Sequence, residues 1–352
     1  MEGNQVPGSL ILADVRAAYE RYRAVVAPRR QRAVVVRFAA GPGDPPRWRA
    51  RMEASRISAG QKIRNLAWLG LDAREVVLPG GAAEHEFASL IARASSDPAM
   101  TAIIVQLPVP ERLRDLVHDI APGKDIDALL GERSPYPACA TADGVARLVV
   151  AHATVGSPVA VVGARGFVGA GVGRLLRAQG LEVVALDVGD DLSRVRDADV
   201  VVAATGSPGV LGPEHLRPHH RLVVDTGFVP QPDGTVAGDV RRDAYPIPQR
   251  ITPVPGGIGP VEMAVLLERV VAKEADPGLV PWQISPQTMR PQIPGLREPA
   301  PQAGQGDLGC EPRHTDPSGE PSHRQAAPLV PRPGRPQASP PEAEPPEAEP
   351  EP

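Results

Sequence analysis

Short apolar runs alternate with segments of helical periodicity along roughly the first 270 residues of the chain. In the helical segments, apolar side chains recur every three or four positions. The predicted strands of the first half are 33–38, 75–78 and 102–106, and its predicted helices are 12–26, 53–69 and 87–94. Strands that alternate with helices are typical of a parallel sheet covered by helices.

The same alternation returns in the second half of the chain. The predicted strands there are 159–162, 182–186, 200–204 and 222–225, and the predicted helices are 143–152 and 168–179. We therefore predict an α/β protein with two α/β domains that meet near residues 143–157.

The composition changes near residue 274, where prolines, glycines, glutamines and charges begin to dominate. The chain has 352 residues and 43 prolines, and residues 340–350 repeat proline, glutamate and alanine. Such a segment has too little apolar surface to offset the entropy lost on ordering. We expect residues 274–352 to form a disordered, Pro-rich tail.

Charge and cysteine content exclude several classes of protein. The formal net charge is −4, which gives no basic surface for nucleic acid. Cys139 and Cys310 are too few for a disulfide framework, and no Cys/His spacing predicts a metal site. Neither a signal peptide nor an apolar run of about 20 residues is recognisable. We expect a cytoplasmic protein that binds neither nucleic acid nor a membrane.

Residues 158–187 have the order strand, glycine turn, helix, strand of a Rossmann-type dinucleotide-binding unit. Gly163, Gly166 and Gly169 allow a tight turn that brings helix N-terminal amides against a pyrophosphate. Because the spacing G-x-x-G-x-x-G is unusual, the order of elements carries this prediction. Asp187 ends the second strand, where an acid binds the adenosine ribose and repels a 2′-phosphate. This favours NAD over NADP; the alternative is that Asp187 only begins a polar loop.

Two later loops also follow predicted strands, as cofactor-binding loops do in open α/β sheets. Thr205 and Gly206 come after strand 200–204, and Gly227 comes after strand 222–225. We assign these three residues to the cofactor, together with Arg165 of the glycine turn. An ordinary strand-ending turn is the alternative for each loop.

Residues 251–260 read Ile-Thr-Pro-Val-Pro-Gly-Gly-Ile-Gly-Pro and precede an apolar helical segment. Proline fixes its own φ and lacks an N–H, while glycine reaches positive φ. The result is a stiff, bent loop with exposed amides at a helix N-terminus. We predict that this Pro-Gly loop contacts a flat or anionic ligand.

Lysine is rare in this chain: Lys62, Lys124 and Lys273 stand against 35 arginines. Unlike arginine, lysine can exchange a proton near neutral pH when burial or a neighbouring cation lowers its pKa. We therefore regard Lys62 as a candidate for proton transfer. The alternative is a solvated lysine on a helix face.

Several segments, taken in order, resemble the bifunctional methylenetetrahydrofolate dehydrogenase/methenyltetrahydrofolate cyclohydrolase family. They are 105–110 (Val-Gln-Leu-Pro-Val-Pro), 124–127 (Lys-Asp-Ile-Asp), 252–260 and, more weakly, 238–240 and the glycine turn. The resemblance implies two domains that flank a cleft, and it implies a homodimer. Its implied parts are a folate/catalytic domain at 8–145, a Rossmann-type NAD(P)-binding domain at 146–255 and a helix at 260–273 that returns to the first domain.

The resemblance also implies an activity. Family members oxidise 5,10-methylenetetrahydrofolate to 5,10-methenyltetrahydrofolate by hydride transfer to NAD(P), and many then hydrolyse it to 10-formyltetrahydrofolate. Lys62 matches a catalytic lysine, Gln106 would orient it, and Asp127 matches the acid that pairs with the pterin. Hydrolysis needs proton transfer, which a lysine with a suitable pKa supplies. The implied substrate contacts are Ser58, Pro255, Gly256, Gly257, Gly259 and Pro260.

The sequence departs from the family pattern at several positions, among them Ser58 and Glu262. Ser58 replaces a tyrosine beside the pterin, which removes an aromatic face worth about 0.5–1.5 kcal/mol beyond its buried area. Glu262 stands where a small hydroxyl residue is usual. The departures leave cyclohydrolase activity open. They also leave two alternatives: a weakened relative that binds nucleotide as a sensor or scaffold, and a dehydrogenase redirected to another one-carbon substrate.

Overall fold

The computed structural model describes residues 3–154, 156–187 and 189–284. Most of the predicted tail, residues 285–352, lies outside this part of the chain. Residues 275–284, which the sequence analysis also placed in the tail, instead pack on the core through Leu279, Trp282 and Ile284. Within the described residues, no helix is both long and apolar enough to cross a membrane.

The first half of the chain forms a three-stranded parallel sheet with strand order β2-β1-β3. Its strands are β1 (Arg32–Ala39), β2 (Asp72–Pro79) and β3 (Met100–Val105), and its helices are α1 (Gly8–Val26), α2 (Pro46–Leu69) and α3 (Glu84–Ser96). The apolar side chains of β1 and β3 pack against α3, as the edge-to-face pair of Phe38 and Phe87 illustrates. Burial on both faces explains why these strands read as continuous apolar runs.

The second half forms a four-stranded parallel sheet with strand order β5-β4-β6-β7. Its elements are α4 (Ala140–His152), β4 (Pro158–Val162), α5 (Phe167–Ala178), β5 (Glu182–Leu186), β6 (Val200–Ala203) and β7 (Leu222–Asp225), followed by the small antiparallel pair β8 (Val229–Pro230) and β9 (Val236–Ala237). Short 3₁₀ turns occupy Ala27–Arg29, Glu111–Leu113, Asp115–Asp119, Pro122–Lys124, Gly131–Arg133, Leu192–Asp197 and Arg242–Ala244. The predicted α/β fold with two parallel sheets is confirmed.

Helix α6 (Ile258–Glu274) follows the Pro-Gly loop and packs against α1 and α2 of the first half and against α4. Its buried polar side chains are paired. Arg269 donates to the carbonyls of Ile126 and Ala138, and Glu268 is ion-paired with Arg147. These contacts join the middle of α6 to α4 and to the segment that precedes α4.

The N-terminal segment, residues 4–8, lies beside the second sheet. Ile251 bridges to Val223 of β7 on one side and to Gln5 on the other, so the segment adds to the edge of that sheet. The amide of Gly8 then donates to the carbonyl of Gly256 at 2.9 Å. The segment therefore ends on the Pro-Gly loop.

Candidate active site

A cavity of about 510 Å³ lies where the carboxyl ends of β3 and β7 approach the first turn of α6. Ligands of open α/β sheets bind beyond the carboxyl ends of the strands. The cavity brings together every residue that the sequence analysis assigned to catalysis or to the substrate, and one that it assigned to the cofactor. These residues are Ser58, Lys62, Gln106, Asp127, Gly227, Pro255, Gly256, Gly257, Gly259 and Pro260.

Lys62 projects from α2 into this cavity and is only 2% exposed. Its ammonium group is ion-paired with Glu262 of α6 and lies 3.9 Å from Oδ2 of Asp127. It also donates to Oγ of Ser58, one helical turn earlier, at 3.2 Å. A buried ammonium is tolerated here because two carboxylates surround it.

The charges around Lys62 decide its protonation. Burial acts to lower its pKa, but attraction from Glu262 and Asp127 outweighs burial, so the pKa of Lys62 lies above its ordinary value. The expectation of a lysine whose pKa is lowered by burial or by a neighbouring cation is therefore wrong. The neighbours are anions, and they keep the amine protonated.

Gln106 directly follows β3 and reaches the same cluster. With the side-chain amide turned to satisfy its neighbours, Oε1 accepts from the amide of Ala59 at 3.1 Å and from Nζ of Lys62 at 3.3 Å. Ser58 lies 3.2 Å from the same amide group. Gln106 can therefore fix where the ammonium group sits.

Asp127 lies in the loop before α4 and is buried against the first residue of that helix: its Oδ1 accepts from the amide of Ala140 at 2.9 Å. Burial raises its pKa, against the attraction of Lys62. Asp125 and Lys124, which precede it in the chain, bond to backbone groups rather than to the Lys62 cluster. Asp125 accepts from the amides of Leu129 and Leu130, and Lys124 donates to three carbonyls near the end of α3.

The Pro-Gly loop forms one side of the cavity, and its glycines are required by geometry. Gly256 has a φ of +101°, a conformation that other residues rarely adopt. A Cβ on Gly257 would lie 2.6 Å from the carbonyl oxygen of Pro253. The peptide bond between Val254 and Pro255 is cis. Backbone, rather than side chain, is thus presented to the cavity.

The glycine turn lies beside the cavity, since Phe167 and Val168 at the start of α5 line it. Gly163 has a φ of +88°, and a Cβ there would overlap the carbonyl of Ala204. A Cβ on Gly169 would overlap the carbonyl oxygen of Gly163. The turn therefore leaves bare backbone at a helix N-terminus, which fits a dinucleotide pyrophosphate.

The other predicted cofactor residues lie around this turn and do not line the cavity. Oδ2 of Asp187 accepts from the amide of Arg165 at 2.7 Å and lies 3.4 Å from its guanidinium Nε. The amides of Thr205 and Gly206 donate to Oδ2 of Asp239. Asp187 after β5, the glycine turn after β4 and the loop after β6 therefore lie at the carboxyl ends of neighbouring strands, on one edge of the second sheet.

Two family models match the chain. One, the catalytic domain of tetrahydrofolate dehydrogenase/cyclohydrolase, covers residues 49–127, and the other, the NAD(P)-binding domain, covers residues 139–276. The bifunctional protein FolD of Synechococcus sp. (strain RCC307) is 32% identical over 232 residues, which span 62% of this chain and 79% of that protein. This chain belongs to the tetrahydrofolate dehydrogenase/cyclohydrolase family.

Solved structures of the tetrahydrofolate dehydrogenase/cyclohydrolase family share the fold. The bifunctional FolD enzyme of Campylobacter jejuni matches with a TM-score of 0.66 at 24% identity, covering 78% of this chain and 99% of that one. The Trypanosoma brucei FolD enzyme, complexed with NADP cofactor and inhibitor, matches with a TM-score of 0.65 at 26% identity, covering 78% and 97%. The predicted family and fold class are confirmed.

Glu262 is one of the departures from the family pattern, and its sequence context did not assign it to the site. The structure places it in the cavity on Lys62. Asp225, which lines the same cavity, was also missed: its carboxylate accepts from the amides of Gly227, Asp239 and Val240 and so joins the loop after β7 to residues 239–240. Its signal was its position as the last residue of a buried strand.

Proposed function

We propose that this chain oxidises 5,10-methylenetetrahydrofolate to 5,10-methenyltetrahydrofolate, with NAD as hydride acceptor. One observation carries the proposal: a single cavity holds the buried Lys62 cluster and the Pro-Gly loop, and it adjoins the glycine turn at the start of α5. Membership of the tetrahydrofolate dehydrogenase/cyclohydrolase family supports the same reaction.

In this proposal, the residues of the chain bind and orient the substrate. Asp127 keeps one carboxylate oxygen on the amide of Ala140, and its other oxygen, near Lys62, accepts N–H bonds from the edge of the pterin. Gln106 and Ser58 fix the ammonium group of Lys62. Pro255, Gly256, Gly257, Gly259 and Pro260 present backbone to the ring face.

The cofactor would be held by the glycine turn, with Gly163, Gly166 and Gly169 around the pyrophosphate. When bound, the nicotinamide accepts the hydride. Asp187 accepts hydrogen bonds from a ribose 2′-OH and repels a 2′-phosphate, which supports NAD over NADP. Thr205, Gly206 and Gly227 would complete the cofactor site.

The division of labour follows that of the family. We propose that residues 8–145 with the returning helix 260–273 bind folate, and that residues 146–255 bind the nucleotide. A homodimer and a cytoplasmic location complete the proposal. Size-exclusion chromatography with light scattering on the full chain measures the first of these.

The test is an absorbance assay that follows nicotinamide reduction and methenyl formation, with NAD and with NADP. We expect both signals to rise together, with the higher kcat/KM for NAD. If neither cofactor is reduced and no folate binds, the proposed function is refuted. Nucleotide binding without turnover of any folate would instead support a weakened relative.

A further inference from the structure

Glu262 is an acid in the wall of the cavity that holds the ammonium group of Lys62. It lies near the N-terminal end of α6, and its side chain is 12% exposed. Its carboxylate reaches across from α6 to the ammonium group of Lys62 on α2. A side chain without a carboxylate at this position could not make this ion pair.

The groups that face the ammonium of Lys62 come from three further parts of the chain. They are Glu262 of α6, Asp127 in the loop before α4, and the thiol of Cys139 at the start of α4. Burial raises the pKa of Cys139 to about 12, so the thiol is neutral at physiological pH. Lys62 therefore faces two carboxylates and no cation among the described residues that affect it.

Hydrolysis of a methenyl group needs a proton acceptor. The oxygen of water bonds to the methenyl carbon and loses one proton. The bond from that carbon to one ring nitrogen then breaks: the oxygen loses its second proton and becomes the formyl oxygen, while the nitrogen takes up one proton. The net reaction consumes one water and releases one proton. A neutral amine accepts the first proton, whereas an ammonium ion cannot. Lys62 held as an ammonium ion is thus the wrong form for this step.

Hydride transfer, by contrast, produces positive charge. Oxidation removes a hydride from the methylene carbon and leaves a cation delocalised over a nitrogen, the carbon and a second nitrogen. A fixed carboxylate near the developing charge stabilises it. It also makes the cation a weaker electrophile toward water. The same side chain therefore favours the oxidation and opposes the hydrolysis.

We propose that Glu262 is a specificity-determining residue: it holds Lys62 as an ammonium ion and suppresses hydrolysis, so that the chain releases 5,10-methenyltetrahydrofolate as its product. This inference rests on the proposed function, because it assumes that the cavity binds the folate. A separate enzyme of the hydrolase or one-carbon-transfer class would then consume the methenyl product.

The experiment supplies 5,10-methenyltetrahydrofolate directly and follows the loss of its absorbance, corrected for spontaneous hydrolysis. The variants are Glu262→Gln, which keeps the shape and removes the charge, Glu262→Thr, Lys62→Met, and the double variant Lys62→Met/Glu262→Gln. Asp127 remains 3.9 Å from Lys62 in Glu262→Gln, so the ammonium keeps one partner and the variant is expected to fold. Glu274→Gln, at the other end of α6, is the matched control.

We expect hydrolysis to rise by at least about tenfold in Glu262→Gln, because each unit by which a lysine pKa falls gives ten times more free amine at pH 7. The pH profile of hydrolysis should move to lower pH in the same variant. Lys62→Met and the double variant should both lack the rise, and Glu274→Gln should behave as the unmodified chain does.

Hydrolysis that is unchanged or slower in both Glu262 variants would overturn the inference, and slower hydrolysis would show that Glu262 is itself the base. An equal rise in the double variant would also overturn it, since the effect would not pass through Lys62. If the unmodified chain neither oxidises methylenetetrahydrofolate nor binds its methenyl form, the proposed function fails as well. If the variants give one of these contradicting results but the unmodified chain does oxidise methylenetetrahydrofolate, only the inference about Glu262 fails.

Discussion

Gly169→Ala tests whether the glycine turn binds the cofactor. Gly169 lies in the first turn of α5, and a Cβ there would overlap the carbonyl oxygen of Gly163 and lie 2.8 Å from its carbonyl carbon. Both atoms belong to the backbone, so no side chain can move aside. The start of α5 must shift by about 1 Å, and overpacking of this kind costs about 1–3 kcal/mol.

That cost falls on the amides that would hold the pyrophosphate. Because 1.4 kcal/mol is a factor of ten in affinity, the Kd for NAD should rise by roughly 5- to 150-fold if all of the strain energy opposes binding. The rise is smaller if part of that energy instead lowers the free energy of unfolding. Gly173→Ala is the matched control in the same helix. Its Cβ would lie 3.1 Å from the end of the flexible Arg177 side chain, and alanine favours a helix interior by about 0.5–1 kcal/mol over glycine.

Isothermal titration with NAD and a thermal melt of each variant measure the two effects. We expect Gly173→Ala to bind NAD as the unmodified chain does and to melt at the same or a slightly higher temperature. If Gly169→Ala keeps both the Kd and the Tm of the control, then the close packing of the turn does not support the cofactor site, and the reasoning is refuted.

Three further predictions concern single side chains. Asp187→Ser should raise kcat/KM for NADP relative to NAD by at least about tenfold, because it removes the carboxylate beside Arg165 that repels a 2′-phosphate. Steady-state assays with both cofactors measure this ratio, and an unchanged ratio would remove Asp187 from the ribose site. Lys62→Met leaves the carboxylates of Glu262 and Asp127 buried without a cation between them, so the free energy of unfolding in urea should fall by about 3 kcal/mol at pH 7, and a loss below 1 kcal/mol would contradict this. Burial lowers the pKa of His220 from 6.5 to about 4; the unfolded chain therefore takes up this proton first, and stability that is fully present above pH 6.5 is lost as the pH falls toward 4. His220→Gln should flatten that decline by roughly 1–3 kcal/mol in melts across this range, and an identical slope would refute it.

The strands were predictable because their apolar runs are strong, and the start of α2 was not. The predicted helix begins at residue 53, whereas α2 begins at Pro46. Proline is favoured in the first turn of a helix, but three of the next six residues are arginines, and of 46–52 only Met52 is buried. With a single buried apolar residue, this segment has no recurring apolar positions from which helical periodicity could be recognised.

The site was predictable where its chemistry is local in sequence. The Pro-Gly loop, the glycine turn and Lys62 could each be recognised from residue type alone. The ion pair between Lys62 and Glu262 joins residues 200 positions apart, and no local pattern specifies such a contact. The sign of the pKa shift at Lys62 depends on that contact, which is why the sequence alone predicted it wrongly.

The N-terminal segment ties the start of the chain to the ligand cavity. Three backbone hydrogen bonds join Asn4 and Val6 to Ile251 and Gly8 to Gly256. A Cβ on Gly8 would overlap the carbonyl of Gly257, so this fit leaves no slack. A purification tag or fusion partner that displaces residues 4–8 would therefore displace the Pro-Gly loop, which forms one side of the cavity. Recombinant versions of this enzyme should carry such additions elsewhere.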